Sequence, residues 1–307
     1  MYIGSGGILM ITAHLGEFAA LLTAIFWTIA AVVFESAGKK VGSSCVNFMK
    51  LIFGFLLIGV YTSITRGMFL PLDASSRTWT WLLLSGLVGF VLGDLFLFQA
   101  YIEIGSRVSM LVMSLAPPIA AVISYIVLGE KLTKANIIGM VITIIGIAIV
   151  VLKKDDSENK IQFSHPIRGL VFALLGAIGQ AGGLVLSKLG MQDYNAFAAT
   201  QIRTIAGICG FAVLIFIMKG WDKVFSALKN ISILKTISLG SIFGPFLGVS
   251  FTLIAIQYTS TAVASTITSI VPVLIIPPAI LIFKEKITSR EILGSIVTII
   301  GVGVLFI

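Results

Sequence analysis

The chain has 307 residues, of which 58% are hydrophobic and 11% charged, and its formal net charge is +8 at pH 7. Soluble globular domains carry about 25% charged residues, so this composition excludes an ordinary water-soluble protein and indicates a polytopic membrane protein. The 21 Lys and Arg residues are scattered between apolar runs, which argues against a nucleic-acid-binding surface and favours loops beside anionic lipid.

Ten apolar runs are long enough to cross a bilayer, which takes about 20 helical residues. Residues 1–16 contain no Lys or Arg, so the basic region of a signal peptide is missing and we expect the first run to be retained. The runs of the first half are 17–36, 44–65, 79–101, 106–128 and 134–152. Those of the second half are 167–190, 195–218, 233–258, 261–283 and 289–306. The most polar stretch, 153–166, lies between the halves and is predicted to be a linker.

The two halves are related in sequence. An offset of 155 residues carries Ser114 onto Ser269, Gly139 onto Gly294 and Thr143 onto Thr298, and a weaker offset of 153 relates the earlier spans. Because each repeat has an odd number of spans, the second copy must enter the membrane from the opposite face. The predicted fold is therefore all-α and integral to the membrane, with ten helices in two inverted five-helix repeats, 17–152 and 167–306.

A short signature occurs once in each half. The first copy is Gly129-Glu130-Lys131-Leu132-Thr133, preceded by a proline within the fourth span and followed by Gly139 through Gly146. The second copy is Glu285-Lys286-Ile287-Thr288 with Gly294 through Gly301, although Lys284 replaces the first glycine. This signature resembles the EamA repeat of the drug/metabolite transporter superfamily. The resemblance covers nearly the whole chain and implies a ten-helix carrier that works without ATP around a central cavity built from both halves.

Asp94 lies near the middle of the third span, where an ionisable side chain costs at least a few kcal/mol and suggests a function. We expect it to bind the coupling proton or a cationic group of the substrate. The alternative is a hydrogen bond that fixes helix packing. Val249 stands at the equivalent position of the second half.

Lys50 and Arg203 are repeat-equivalent cations inside their spans. They are predicted either to hold the carboxylate of a substrate or to form gate ion pairs. The alternatives are snorkelling to the headgroups and neutralisation of a neighbouring carboxylate. Glu35, at the end of the first span, is the expected partner of Lys50.

Uncharged polar and aromatic residues on the first, third and sixth spans are predicted to line the cavity, since by analogy with the family those helices surround it. They are Trp27, Thr28, Gln99, Tyr101 and Gln180. Such groups suit an amphipathic solute, although Gln and Thr also bridge packed helices. The glycines around Gln180 are predicted to let helices approach closely.

The fourth and ninth spans are interrupted by Pro117 and Pro272. Broken helices at matching positions of two halves indicate a carrier site, because a proline frees a backbone carbonyl. Ser114 and Ser269 precede these prolines and are predicted to line the transport path. The alternative is a kink that only tilts the helix.

Other motifs indicate structure rather than chemistry. Glu130 and Glu285 stand where spans end, and we expect neither in the cavity. Thr288 and Glu291 have capping-box spacing, and Thr133 occupies the matching helix start. The sequence has no CxxC, HExxH or phosphate-binding loop, so no metal and no cofactor is expected.

Orientation is predicted from basic residues. Loops on the side of the N-terminus hold five Lys and Arg, and the opposite loops hold fourteen. The positive-inside rule therefore places both termini outside the cytoplasm, whereas family members usually have both ends inside. We expect a multi-pass protein of the plasma (inner) membrane.

The predicted function is secondary transport of small organic metabolites, such as amino acids or related solutes, or drugs, by ion- or proton-coupled alternating access. A passive facilitator or channel is the alternative. An intramembrane enzyme is disfavoured: Gly93-Asp94 resembles the GxGD motif of membrane aspartyl proteases, but Val91 replaces its first glycine. The expected partners are a small-molecule substrate and the lipid bilayer, not nucleic acid, and a homo-oligomer is compatible with the sequence.

Overall fold

The computed structural model describes residues 14–129, 131–155, 160–259, 264 and 267–304, and these residues form helices apart from one hairpin and the connections. The helices are α1 (Leu15–Val41), α2 (Ser43–Arg66), α3 (Ser76–Gly86), α4 (Asp94–Met113), α5 (Ala116–Leu128), α6 (Lys134–Val151), α7 (Ile167–Met191), α8 (Ala196–Ile217), α9 (Trp221–Lys229), α10 (Ile231–Ser241), α11 (Val249–Tyr258), α12 (Val271–Leu274), α13 (Ile276–Phe283) and α14 (Ser289–Val304). Two π-helical segments, π1 (Leu87–Gly93) and π2 (Ile242–Gly248), join α3 to α4 and α10 to α11.

Seven helical stretches are long and apolar enough to cross a membrane, so the protein is an integral multi-pass membrane protein. They are Leu15–Val41, Ser43–Arg66, Ser76–Met113, Lys134–Val151, Ile167–Met191, Ala196–Ile217 and Ile231–Tyr258. Two shorter apolar stretches are Ala116–Val127 and Val271–Phe283. The number of ten spans stays a prediction.

The long stretch Ser76–Met113 is interrupted at Gly105, whose backbone has φ 78° and ψ 159°. Only glycine adopts this conformation readily, because it has no Cβ to clash. The predicted boundary between the third and fourth apolar runs falls at this residue.

The sequence repeat is visible in the packing. The segments π1 and π2 are related by the same offset of 155 residues. The most extensive helix contact joins α6 to α14, and it is reciprocal: Gly146 packs on Thr298 and Gly301 packs on Thr143. Each threonine hydroxyl donates to the carbonyl four residues earlier at 2.8 Å. Equivalent residues of the two halves therefore meet across a local pseudo-twofold.

The glycines flanking Gln180 form the predicted contact face. A Cβ at Gly179 would lie 2.5 Å from the Gly93 Cα, and one at Gly183 would lie 2.7 Å from the Gly89 Cα. Such backbone-to-backbone contacts leave no room for a side chain. They press α7 against π1 and bring Gln180 beside Asp94.

The predicted helix caps are present. Thr133 forms a capping box with Asn136, and Thr288 forms one with Glu291, in which the backbone N–H of Thr288 donates to Glu291 Oε2 at 2.8 Å. These caps satisfy amide groups at the starts of α6 and α14. Glu130 lies outside the described residues.

A strand hairpin and a short helix differ from the sequence prediction. The linker contains antiparallel strands β1 (Leu152–Asp155) and β2 (Lys160–Phe163), paired from Leu152 with Phe163. The amphipathic helix α9 occupies a stretch predicted to be loop: Trp221 packs edge-on against Phe48, with ring centroids 5.3 Å apart. At nine residues it is too short to span a bilayer, and its sequence interleaves Lys223 and Lys229 with the apolar residues.

Candidate functional site

A cavity of about 190 Å³ lies between the two halves, near the middle of the long helices. Residues from α1, π1, α4, α7, α8 and α11, and from the proline-containing segments of both halves, line it. These residues are Thr23, Trp27, Phe90, Leu97, Met110, Met113, Ser114, Ala116, Pro117, Gln180, Ala181, Leu184, Arg203, Val249, Thr252, Thr268, Ser269, Val271 and Pro272. The wall is mostly apolar, with hydroxyl, amide and guanidinium groups at a few points, which suits a small ligand.

Asp94 forms a buried ion pair directly behind this wall. Asp94 is 1% exposed, and Lys50 Nζ lies 2.7 Å from Asp94 Oδ2. Gln180 Nε2 donates to its other oxygen, Oδ1, and Asn47 donates to its backbone carbonyl at 3.1 Å. Because Gln180 lines the cavity, it connects the carboxylate to the wall.

The expected pairing of Lys50 with Glu35 is wrong. Glu35 instead accepts from the backbone N–H of Ser106 at 2.7 Å and forms an ion pair with Lys39. Lys50 is 2% exposed, so it does not snorkel. Its ammonium lies 3.8 Å from the centroid of Phe98, a cation–π contact that adds to the pair with Asp94.

Arg203, the repeat equivalent of Lys50, lines the cavity instead. It is 4% exposed, and its guanidinium carbon lies 4.7 Å from the centroid of Phe90. Its Nε is buried without a hydrogen-bond partner among the residues that the structure describes. The two equivalent cations therefore differ: Lys50 is neutralised and Arg203 faces the cavity.

The remaining lining candidates divide into two groups. Trp27 lines the cavity and donates from Nε1 to Thr252 at 3.4 Å, and Gln180 lines it as described. The structure places Thr28, Gln99 and Tyr101 elsewhere: Thr28 donates to the Ala24 carbonyl at 2.8 Å, Gln99 accepts from Ser43, and the Tyr101 hydroxyl contacts the Met110 sulfur.

Ser114 and Ser269 line the cavity at equivalent positions. The helix containing Ser114 is broken there, since α4 ends at Met113 and α5 begins at Ala116. Pro117 takes one of the first positions of α5, where its missing N–H leaves no hydrogen bond unmade. The Pro272 segment is likewise the separate short helix α12.

An ion-pair cluster joins the halves at the end of the bundle where Gly105 lies. Arg107 Nε lies 2.7 Å from Glu285 Oε2, and its Nη1 lies 3.1 Å from Glu291 Oε1. We call Arg107, Glu285 and Glu291 the Arg107 cluster. Burial and then the positive charge of Arg107 hold the pKa of the nearby His165 below its ordinary value, although Glu291 and Glu285 oppose this. Sequence reasoning missed Arg107, because its partners are 178 and 184 residues away.

A second cluster joins the halves at the opposite end, where α2 finishes. Arg66 pairs with Asp73, and the Tyr194 hydroxyl donates to Asp73 Oδ1 at 2.8 Å. Desolvation raises the pKa of Asp73, but the hydrogen bond from Tyr194 and the charge of Arg66 outweigh it and leave the pKa below its ordinary value. Desolvation and the bond to Asp73 raise the pKa of Tyr194 to about 12. We call these three residues the Asp73 cluster.

Comparison with known proteins gives a consistent picture. The EamA-like transporter family model matches residues 14–152 and 167–307. An uncharacterized transporter from Clostridium kluyveri is 30% identical over 178 residues, which are 58% of this chain and 56% of that protein, so the match spans just over half the relative's length. An uncharacterized transporter from Archaeoglobus fulgidus is 23% identical over 71% of this chain and 74% of its own. A crystal structure 17% identical in sequence has the same fold, with a TM-score of 0.60 over 95% of each chain.

Proposed function

The chain belongs to the EamA-like transporter family, and from this premise we propose that it is a secondary transporter that moves a small organic metabolite by alternating access. The observation that carries the proposal is a central cavity lined by both halves, with one ion-pair cluster joining the halves at each end. A carrier needs a site near the midplane and a closure on each side of it. Family membership also points to a transporter rather than an enzyme.

We propose ten spans in two inverted five-helix repeats as the architecture of this carrier. The break at Gly105 divides the stretch Ser76–Met113 between a third span and a fourth, which Ala116–Val127 continues. Val271–Phe283 supplies the ninth span and α14 the tenth. The offset of π1 and π2 and the reciprocal contact between α6 and α14 support two related halves.

The cavity volume favours a metabolite over a drug. At about 190 Å³ it is smaller than the roughly 300–1,000 Å³ of pockets that take drug-sized ligands. Trp27, Met110 and Met113 offer flat or adaptable apolar surface, while Ser114 and Gln180 offer polar contacts. A small solute with both apolar and polar parts fits this wall.

Asp94 is the proposed coupling residue. Protonation would neutralise the carboxylate and release Lys50, and Gln180 would transmit the change to the cavity wall. A bond between Asp94 and a substrate amine has less support, because Asp94 is outside the wall and already paired. Proton coupling also separates this proposal from a passive facilitator, which would not accumulate its solute.

The Arg107 cluster is the proposed closure at its end. We expect Arg107→Gln to favour the conformation open at that end and to raise severalfold the labelling rate of Ser114→Cys by a membrane-impermeant thiol reagent, in a background with Cys45→Ala and Cys209→Ala. Arg168→Gln, which removes an exposed arginine paired with Glu103 at 3.4 Å, is the matched control. Equal labelling rates in both variants would contradict a gate.

The proposed function is tested by untargeted comparison of metabolites in cells and medium. Cells expressing the wild-type protein should redistribute at least one small solute relative to cells without it. Trp27→Ala, at equal membrane levels, should reduce that redistribution about tenfold, because Trp27 lines the cavity. Tyr125→Ala removes a half-exposed aromatic ring outside the wall and should have no effect. Redistribution unaffected by Trp27→Ala would rule out this cavity as the transport site.

A further inference from the structure

We propose that the cavity selects organic monoanions, such as a carboxylate with an apolar body, and that Arg203 is the residue that binds the negative group. This inference rests on the proposed function and names the substrate class of the same site. It also narrows that class, since it excludes cations and neutral amino acids as preferred ligands.

The first argument is the charge of the wall. Among the lining residues that the structure describes, Arg203 alone carries a formal charge. The nearby carboxylate of Asp94 does not balance it, because that carboxylate is in direct contact with Lys50 and accepts from Gln180. Lys50, Asp94 and Arg203 together leave one positive charge at the cavity. A ligand of charge −1 restores neutrality in a region where uncompensated charge is costly.

The second argument is the hydrogen bonding of Arg203. The N–H donors of a buried guanidinium group normally each have a hydrogen-bond acceptor. A carboxylate can accept from two of these donors at once, through two parallel hydrogen bonds. Here the Nε has no acceptor within the described ranges, although the residue is 4% exposed. The aromatic ring of Phe90, with its centroid 4.7 Å from the guanidinium carbon, makes a cation–π contact but offers no hydrogen-bond acceptor oxygen. A carboxylate ligand at the cavity face of the Arg203 guanidinium would supply an acceptor for this group.

The third argument is the rest of the wall. Leu97, Met110, Met113 and Trp27 provide apolar and aromatic surface for a carbon skeleton. No Asp or Glu side chain belongs to the lining that the structure describes, so an ammonium group would find no counter-charge there. The wall therefore discriminates by charge between molecules of similar shape.

The test compares three ligands that differ in one group: 3-phenylpropanoate, 3-phenylpropanamide and 3-phenylpropylamine. Purified full-length protein in detergent should bind the carboxylate at least tenfold more tightly than the amide or the amine, measured by calorimetry and by the shift in melting temperature. Arg203→Gln should reduce this preference to about twofold or less. Arg203→Lys, which keeps the charge, should retain part of the preference for the carboxylate. Binding by this variant would show that position 203 can be changed without loss of folding. Arg168→Gln, which changes an exposed arginine that does not line the cavity, should bind like the wild type.

Each outcome decides the proposal. Equal binding of the amide or amine, equal stabilisation by chloride alone, or no binding of the carboxylate overturns the anion assignment. Uptake into proteoliposomes separates this failure from failure of the proposed function: saturable uptake of the amine would keep the transporter and reject the anion site. If the wild type binds the carboxylate but does not take it up, and Arg203→Gln no longer binds it, the anion site is supported and transport is rejected.

Discussion

Lys50→Met is expected to destabilise the folded protein by about 3–5 kcal/mol, because it removes the ammonium group in direct ion-pair contact with the buried Asp94 carboxylate. That carboxylate would keep the hydrogen bond from Gln180 and the more distant positive charge of Arg203, neither of which replaces the direct contact. The ammonium also contacts the rings of Phe98 and Phe34, so its loss removes cation–π attraction as well. The measurement is the thermal denaturation midpoint of the purified protein.

The double variant Lys50→Met with Asp94→Asn tests the physical cause. It removes both charges and keeps an oxygen that can accept from Gln180, so it should recover most of the lost stability. Lys40→Met, at the exposed end of α1, is the control and should change stability by no more than about 0.5 kcal/mol. If the double variant is as unstable as Lys50→Met alone, the cost does not come from an unpaired carboxylate.

Asp94→Asn is expected to uncouple transport from the proton gradient, because an amide, unlike a carboxylate, neither gains nor loses a proton across the functional pH range. In proteoliposomes the wild type should accumulate its solute when a pH gradient is imposed. The variant should equilibrate the solute without accumulation, and its initial rate should not change with pH. If the single variant does not fold, the double variant with Lys50→Met gives the same readout.

Asp222→Asn is the matched control for uncoupling. It makes the same chemical change at an exposed aspartate in the first turn of α9. It should keep the response to the pH gradient, since Asp222 belongs neither to the cavity wall nor to the two ion-pair clusters. Equal rates and an unchanged pH dependence in Asp94→Asn would show that Asp94 has a structural role only.

The hydropathy of the local sequence, read as apolar runs, predicted the helices well. Each of the ten predicted runs overlaps one or more helices in the described residues, and the helix breaks at Gly105, inside the predicted gap 102–105. The amphipathic α9 and the hairpin of β1 and β2 were missed, because they are short and their sequences are polar. Internal repetition identified equivalent glycines in α6 and α14, but it did not predict that these two helices contact each other.

Side-chain partners were predicted less well. Asp94, Lys50 and Arg203 were selected as ionisable residues inside spans, a property that the sequence shows directly. The partner of Lys50 was predicted wrongly, because Lys50 pairs with Asp94 and not with Glu35. Arg107 was not selected at all, since its partners come from the other half of the chain.

The sequence by itself determined the membrane environment, the family and the duplicated helices, because composition and apolar run length are set residue by residue and do not depend on packing. Only the tertiary structure decided which of two equivalent cations is neutralised. The close approach of α7 to π1, through Gly179 and Gly93, aligns Gln180 with Asp94. Lys50 completes that pair from α2, and Arg203 is left facing the cavity. A charge balance of this kind depends on distances between different helices, which no local pattern encodes.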